Sequence, residues 1–238
     1  MSMISLRLIT VILLNFYLFS LQSQEIKNHN NFTVVIDPGH GGKDPGAVSN
    51  GFYEKIIALN TSLKLGQLLQ DNGINVIYTR DKDKFVNLLE RANIANKSDA
   101  QLFISIHCNS HSSQAYGAET FVLGLHANQR NFEVAKKENS VIFFEDDYES
   151  AYAGFDPNNP ESVIGLTLMQ EEYLDQSIIA ASYIQNGFVN RLNRKNRNIK
   201  QAGFIVLKYT YMPSVLIELG FLSNKKEGAY LNSSKGDP

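Results

Sequence analysis

Short apolar runs and helically spaced apolar positions alternate along the first half of the chain. A β-branched run at 34–36 ends in Asp37-Pro38-Gly39, because proline and glycine stop a strand and open a loop. Residues 54–70 place apolar side chains at helical spacing, and Asp71-Asn72-Gly73 ends that pattern. The alternation continues with a strand over 74–79, a helix over 88–95 and a strand over 101–107. This order predicts a single three-layer α/β domain, whose mostly parallel central sheet is covered by helices on both faces.

The second half of the chain has a less regular pattern. It predicts a strand over 117–125, a long helix over 176–192, and strands over 205–207 and 215–219. Basic residues between positions 191 and 200 are interpreted as a solvated helix end that the helix dipole favours. Residues 126–175 hold a helical piece, an acidic run and a loop rich in proline and asparagine. We interpret this segment as an insertion on the scaffold, because it lacks a core of its own.

The N-terminus differs from the rest of the chain. Residues 1–21 carry one charge, Arg7, followed by an apolar run that is too short for a comfortable membrane span. Small residues near Ser23 offer a cleavage site, so we expect a signal peptide over 1–23 and a polar linker over 24–31. An uncleaved anchor is the alternative. Residues 32–238 then form a domain exported to the periplasm or cell envelope, with no stable membrane insertion after signal cleavage.

Composition narrows the class of protein. A chain of 238 residues can bury a sizeable core in one domain. Nucleic-acid binders usually carry a basic surface, whereas this chain has a formal charge of −2. We therefore expect no nucleic-acid partner. The single cysteine, Cys108, cannot form an intramolecular disulfide, and an exported domain of this kind depends on its core. We expect a monomer.

Four polar residues lie at the ends of apolar elements. His40 follows the first strand, Glu54 begins the first helix, His107 ends the third strand, and Glu218 follows the apolar run 215–217. Glu54 is also a favourable first-turn residue, and a lone histidine at a strand end is usually an ordinary core residue. Glu218 is the hardest to explain structurally, because a carboxylate in so apolar a run is costly unless it is paired or bound to metal.

The predicted topology makes several of these residues neighbours. Parallel strands end at one edge of the sheet, where open α/β sheets bind ligands, so His40, His107 and Glu218 can converge there. Two histidines and a carboxylate, with a fourth position left for water, form the ligand set of a catalytic zinc site. A second carboxylate that does not bind metal can take the proton from that water.

The glycine-rich loop and the cysteine suggest other chemistries that the residues do not support. A phosphate loop would need glycine at position 37 and serine or threonine at 44, and both positions are aspartate. Cys108 beside His107 suggests a cysteine nucleophile. Adjacent strand side chains point to opposite faces, however, which favours a small buried side chain at Cys108.

Several ordered motifs resemble those of the zinc-dependent N-acetylmuramoyl-L-alanine amidases of bacterial cell-wall turnover (amidase type 3 catalytic domain). They are Val35-Ile36-Asp37-Pro38-Gly39-His40-Gly41-Gly42 followed by Glu54, Arg91-Ala92-Asn93, the run Phe103 to Asn109, and the run Met212 to Asn224. The resemblance implies that His40, Glu54 and His107 bind one Zn²⁺ ion. It also implies that Glu218 is the catalytic carboxylate.

Three residues near these motifs have two interpretations each. Arg91 and Asn109 are candidates for contacts with the substrate, and an ion pair on the helix surface is the alternative for Arg91. Asp37 is a candidate to orient His40 from behind, and a turn-capping role is equally open to it.

The resemblance implies a reaction and a substrate. The reaction is hydrolysis of the amide between the lactyl group of N-acetylmuramic acid and L-alanine, so the partner is peptidoglycan. Two alternatives stay open: a zinc peptidase that cuts within the stem peptide, and a module that binds peptidoglycan without cleaving it. The second is disfavoured because all four candidate residues are present.

The insertion over 126–175 resembles, in position, the regulatory segment of division-associated amidases. In those proteins a helix covers the zinc edge until an activator protein moves it. The segment 163–174 is therefore predicted to restrain activity, with Glu171 or Glu172 near the metal, and a plain surface loop is the alternative. Family domains usually continue with a further helix beyond residue 224, so the end at Pro238 predicts a truncated C-terminus.

Overall fold

The computed structural model describes residues 32–125, 128–153, 155–159, 161 and 171–233. The predicted signal peptide over 1–23 and linker over 24–31 lie outside the described residues, as does 163–170 of the segment predicted to restrain activity. Within the described ranges, no helix combines the length and apolar character needed to cross a membrane.

A central sheet of six strands organises the molecule. The strands of the described chain are β1 (Thr33–Pro38), β2 (Val48–Ser49), β3 (Phe52–Tyr53), β4 (Asn75–Tyr78), β5 (Leu102–Asn109), β6 (Ala118–Leu123), β7 (Asn196–Ala202) and β8 (Ser214–Phe221). The sheet has the order β4-β1-β5-β8-β6-β7. The first four strands in that order run parallel, β6 is antiparallel to β8, and β7 is parallel to β6. The predicted mostly parallel sheet is confirmed.

Helices cover both faces of this sheet. They are α1 (Glu54–Asp71), α2 (Leu88–Asn96), α3 (Gln129–Asn139), α4 (Tyr148–Ala151), α5 (Glu171–Asn190), α6 (Ile205–Lys208) and α7 (Lys225–Leu231), with a 3₁₀ helix at Ser140–Phe144. Successive strand residues point to opposite faces. Val35 and Phe103 therefore pack with α2, α3 and α6, whereas Val34 and Ile104 pack with α1, α5 and α7. The three-layer prediction is confirmed as well.

Residues 196–202 form the edge strand β7, where the sequence pattern predicted a solvated helix end. The prediction is wrong because Arg197 and Lys200 both reach the buried carboxylate of Glu119 on β6. Charged side chains are well tolerated on an edge strand, since they discourage pairing with another chain.

Residues 205–207 belong to the short helix α6 instead of the predicted strand. All three side chains are buried, and the helix packs against α2 on one face of the sheet. A short apolar run has the same pattern in a buried strand and in a buried helical turn, so periodicity does not separate the two.

The predicted insertion packs against the main core. It carries α3, the 3₁₀ helix and α4, and its side chains Val134, Ile142 and Tyr152 belong to the same buried cluster as Val35 and Phe103. This packing holds α3 close to the edge of the sheet at which β1, β5 and β8 end.

Candidate metal centre

The loop after β1 holds His40 in an unusual backbone conformation. Its φ of 61° lies in the left-handed region, which residues with side chains seldom adopt. Two buried guanidinium groups hold this loop in place. Arg91 donates to the backbone oxygens of His40 and Pro38, each at 2.7 Å, and Arg80 donates to that of Gly39 at 2.7 Å.

Asp44 orients the ring of His40. Its Oδ2 lies 2.7 Å from His40 Nδ1, which turns Nε2 toward the sheet edge. Asp37, the residue considered for this role from the sequence, lies elsewhere. Its carboxylate accepts hydrogen bonds from the hydroxyls of Thr79 at 2.6 Å and Ser105 at 2.7 Å.

Glu54 begins α1 and is also a fixed, fully buried carboxylate. Its Oε2 accepts from the amide of Ala47 at 2.7 Å, and its Oε1 accepts from the amide of Cys108 at 2.9 Å. The same Oε1 lies 3.0 Å from His40 Nε2 and 3.1 Å from His107 Nδ1. Glu54 is therefore both the first residue of α1 and a neighbour of the two histidines, so both interpretations of the sequence apply to it.

Two glycines make room for the imidazole rings. A Cβ atom added at Gly39 would lie 2.5 Å from His107 Cε1, and one added at Gly46 would lie 2.6 Å from His40 Cδ2. Both distances are far below a normal contact. Glycine at these two positions therefore leaves the space that the rings of His107 and His40 occupy.

The candidate ligand atoms converge at one buried point. His40 Nε2 and His107 Nδ1 lie 3.2 Å apart, beside Glu54. A fourth residue, Glu138 on α3, places its Oε2 at 2.9 Å from His40 Nε2 and 3.0 Å from His107 Nδ1. The ligand atoms of all four residues lie within 4.8 Å of one another.

The charges of this cluster fit a divalent cation. Burial alone would lower the pKa of both imidazoles, but the carboxylate of Glu138 raises that of His107 to about 9. Glu54 raises the pKa of His40 well above its ordinary value. The carboxylates thus favour the protonated, positively charged form of both imidazoles. A divalent cation between neutral imidazoles would supply the same two positive charges. Imidazole and carboxylate are also ligands that zinc prefers.

Glu218 lies beside the cluster without belonging to it. It is fully buried and directly opposite His107 in the β5–β8 register. Among the described residues, neither of its carboxylate oxygens has a hydrogen-bond partner. Burial and the nearby carboxylates of Glu138 and Glu54 raise the pKa of Glu218 well above its ordinary value. A carboxyl group in that condition suits general acid–base catalysis near neutral pH.

Comparisons with known proteins agree with this geometry. A profile of the N-acetylmuramoyl-L-alanine amidase family matches residues 34–237. The chain belongs to this family. The N-acetylmuramoyl-L-alanine amidase AmiA of Escherichia coli (strain K12) is 32% identical over 213 residues, covering 87% of this chain and 72% of AmiA. The uncharacterized protein YqiI of Bacillus subtilis (strain 168) is 34% identical over 203 residues, covering 85% of this chain and 76% of YqiI.

Solved structures of amidases share the fold. The N-acetylmuramoyl-L-alanine amidase from Clostridium difficile 630 matches with a TM-score of 0.58 and 28% identity, over 87% of this chain and 88% of that one. The CwlD amidase from Clostridioides difficile, solved in complex with the GerS lipoprotein, matches with a TM-score of 0.54 and 27% identity, over 85% and 89% of the two chains.

Arg91 has a structural position in this amidase. The sequence predicted a substrate contact or a surface ion pair, but the residue is only 2% exposed. Its guanidinium donates to Asp37 Oδ1 at 2.8 Å and to three backbone oxygens, those of Val86, Pro38 and His40. It holds the loop after β1 from beneath, and its contact with a substrate stays a prediction.

Cys108 and Asn109, which follow His107 in the same motif, are also buried. Asn109 donates from Nδ2 to Glu119 Oε1 at 2.7 Å and lines a cavity next to Lys137, so its contact with the substrate stays a prediction. Burial raises the pKa of Cys108 well above its ordinary value, which keeps the thiol protonated and unsuited to act as a nucleophile.

The insertion reaches the cluster through a residue that sequence reasoning missed. Glu138 does so, whereas Glu172 is exposed at the start of α5, and the side chain of Glu171 lies outside the described part of the chain. The sequence does carry a signal for Glu138. It follows Phe132, Val134 and Ala135 at helical spacing, on the buried face of α3, where a carboxylate needs a partner.

Proposed function

We propose that this amidase is a zinc hydrolase that cleaves the amide between N-acetylmuramic acid and L-alanine in peptidoglycan, for cell-wall turnover or daughter-cell separation. The observation that supports this proposal is the convergence of His40, Glu54 and His107 beside Glu218. Glu218 is a buried carboxylate without a hydrogen-bond partner among the described residues. A module that only binds peptidoglycan would gain nothing from such a costly carboxylate.

One bound zinc ion would lower the pKa of a water molecule and polarise the scissile carbonyl. His40, His107 and Glu54 are the residues that would hold the ion, and Asp44 keeps the His40 ring in position. Glu218 accepts a proton from the attacking water and passes it to the alanine nitrogen as the C–N bond breaks. The products are the muramic acid carboxylate and a stem peptide with a new L-alanine amine.

The position of Glu138 supports a second part of the proposal, in which α3 restrains the enzyme. Its carboxylate lies within hydrogen-bond distance of both imidazoles, where water and the scissile carbonyl need to be. Movement of α3 away from His40 and His107 would open the site. The CwlD amidase was solved with a lipoprotein partner, and we propose that a protein activator moves α3 here.

We further propose that the protein is exported by the signal predicted over 1–23 and acts in the periplasm or cell envelope. Peptidoglycan lies outside the cytoplasmic membrane, so the substrate is met there. The mass of the mature protein and its recovery in cell fractions test this part independently of activity. An intact N-terminus on protein recovered from the cytoplasm would contradict it.

Digestion of purified peptidoglycan separates the candidate functions. A new amine on L-alanine supports the amidase, a new amine on another stem residue supports the zinc peptidase, and co-sedimentation without a product supports the binding module. The Glu138→Ala variant is assayed beside the natural protein, so that a restrained enzyme is not mistaken for a binding module. Glu218→Gln serves as the inactive control.

A further inference from the structure

Glu119 is a buried carboxylate with more cations around it than its charge can neutralise. It lies on β6, opposite Glu218 in the β6–β8 register. Its oxygens accept from Arg130 at 2.6 and 2.9 Å, from Arg197 at 3.2 Å, and from Lys200. Three cationic groups thus share one carboxylate, and two positive charges remain in excess.

Arg130 and Arg197 each repel the ammonium group of Lys200. Burial lowers the pKa of Lys200, and the charges of Arg130 and Arg197 lower it further, so that the pull of Glu119 in the other direction does not restore its ordinary value. Partly buried like charges of this kind attract an anion from solution.

The excess charge faces a cleft that leads away from the metal centre. Two cavities of about 450 and 320 Å³ share His111 and Arg130 in their linings. The larger cavity is also lined by Lys195 and Arg197. The smaller is lined by Glu133 and by Lys137, whose Nζ lies 3.2 Å from Glu138 Oε1 and 3.7 Å from Glu54 Oε2.

We propose that this cleft, which we call the cation cleft and define by Arg130, Lys137, Lys195 and Arg197, binds free carboxylates of the peptide stem. The inference rests on the proposed function, because it places the scissile amide at the metal centre and the stem along the cleft. The glycan offers no matching charge, since its sugars are neutral and the lactyl carboxyl is consumed in the amide. The stem is an acidic peptide and does offer it.

Two cations of the cleft are independent of the restraining helix. Lys195 and Arg197 lie just before and within β7, which belongs to the central sheet, whereas Arg130 and Lys137 lie on α3. Lys195 is exposed and stacks on the ring of Tyr116, with its Nζ 4.5 Å from the ring centroid. A bound carboxylate would therefore keep these two anchors wherever α3 lies.

The test is a calorimetric titration of the full protein with a synthetic stem peptide, which requires no hydrolysis. One form of the peptide has free carboxylates and the other has them amidated. We expect Lys195→Gln to weaken binding of the free form by about 2- to 5-fold, the effect of one exposed charge pair. Arg197→Gln should weaken it by about 5- to 10-fold, because that guanidinium is partly buried. Neither variant should change binding of the amidated form.

Lys97→Gln is the matched control. Lys97 is exposed at the end of α2, before β5 begins, and thus lies at the opposite edge of the sheet from the cleft. Equal binding of the two peptides, or equal binding by Lys195→Gln and Lys97→Gln, would overturn the proposal. Tighter binding of inorganic polyphosphate than of the free peptide would also overturn it, in favour of a polyanion site. A Glu138→Ala variant that binds the peptide but releases no L-alanine amine from peptidoglycan would contradict the proposed reaction and leave the cleft in place.

Discussion

Among the side chains at this site, Glu218 has the environment that is least favourable for an ionised carboxylate. A catalytic role would explain why it is there. Its two oxygens are buried without a hydrogen-bond partner among the described residues, next to the carboxylates of Glu138 and Glu54. Leaving polar atoms unsatisfied in this way costs about 1–3 kcal/mol per group. A cost of that size is typical of an active site, where stability is given up for reactivity.

Substitution of this residue separates proton transfer from metal binding. We expect Glu218→Gln to keep its bound metal, because His40, Glu54 and His107 are untouched, and to lose about 10²- to 10⁴-fold in hydrolysis rate. Metal content by atomic emission and the rate on purified peptidoglycan measure the two effects. Glu90→Gln, which changes an exposed glutamate of α2, is the control. A near-normal rate for Glu218→Gln would show that another group moves the proton.

The proposed restraint by Glu138 can be tested by substitution. We expect Glu138→Ala to raise the rate of peptidoglycan hydrolysis by about tenfold in the absence of any partner, which corresponds to about 1.4 kcal/mol removed from the closing equilibrium. Glu90→Ala changes an exposed glutamate on α2 and should leave the rate unchanged. If Glu138→Ala instead loses metal and activity together, Glu138 is a permanent ligand and not a restraint.

The loop after β1 and the helix α2 act as one unit. Arg91 reaches from α2 to Asp37 and to the backbone of His40, and this pairing maintains the left-handed conformation that places the imidazole. Removing one partner of a buried ion pair leaves the other charge uncompensated, at a cost of about 3–5 kcal/mol. The loop that carries His40 therefore depends on an element about 50 residues further along the chain.

The ionisation of Asp37 makes this unit sensitive to acid. Burial alone would raise its pKa, but the charge of Arg91 and hydrogen bonds from Thr79 and Ser105 hold it below the ordinary value of 3.8. Since the folded pKa lies below the unfolded one, the stabilisation is complete above about pH 4 and is lost as the pH falls through the folded pKa. We expect the free energy of unfolding in urea to drop steeply below pH 4.

The control for this acid sensitivity is Asp37→Asn. It should lower the free energy of unfolding by about 3 kcal/mol at pH 7 and flatten its decline below pH 4, because the titrating group is gone. Parallel acid declines in the natural protein and in Asp37→Asn would assign the sensitivity to other carboxylates.

The molecule as a whole should depend on its metal for stability. The candidate ligands come from the loop after β1, from α1 and from β5, so one ion would join α1 to two strands of the central sheet. At a free zinc concentration 1,000 times Kd, binding adds about 4 kcal/mol to the free energy of unfolding. We expect a chelator to lower Tm by roughly 10 °C and zinc to restore it. His107→Ala should show no such shift, and a chelator without effect on the natural protein would contradict a metal site.

Much of the architecture is readable from local pattern. The strand and helix order up to β5 follows from alternating periodicity, since each of those elements buries one face or both against a common sheet. The strand β7 is harder to predict from the sequence, because its charges are compensated by Glu119, about 80 residues earlier in the chain. Local hydropathy contains no sign of that partner.

The sequence by itself determined the family, the three-layer fold and the convergence of His40, His107 and Glu218, because parallel strands that end in polar residues bring them to one edge. The tertiary structure alone revealed Glu138 beside His40 and His107, and Arg91 beneath the loop after β1. Both positions depend on how a helix packs on the sheet. The contacts that a side chain makes between a helix and the sheet produce no repeating pattern in the sequence.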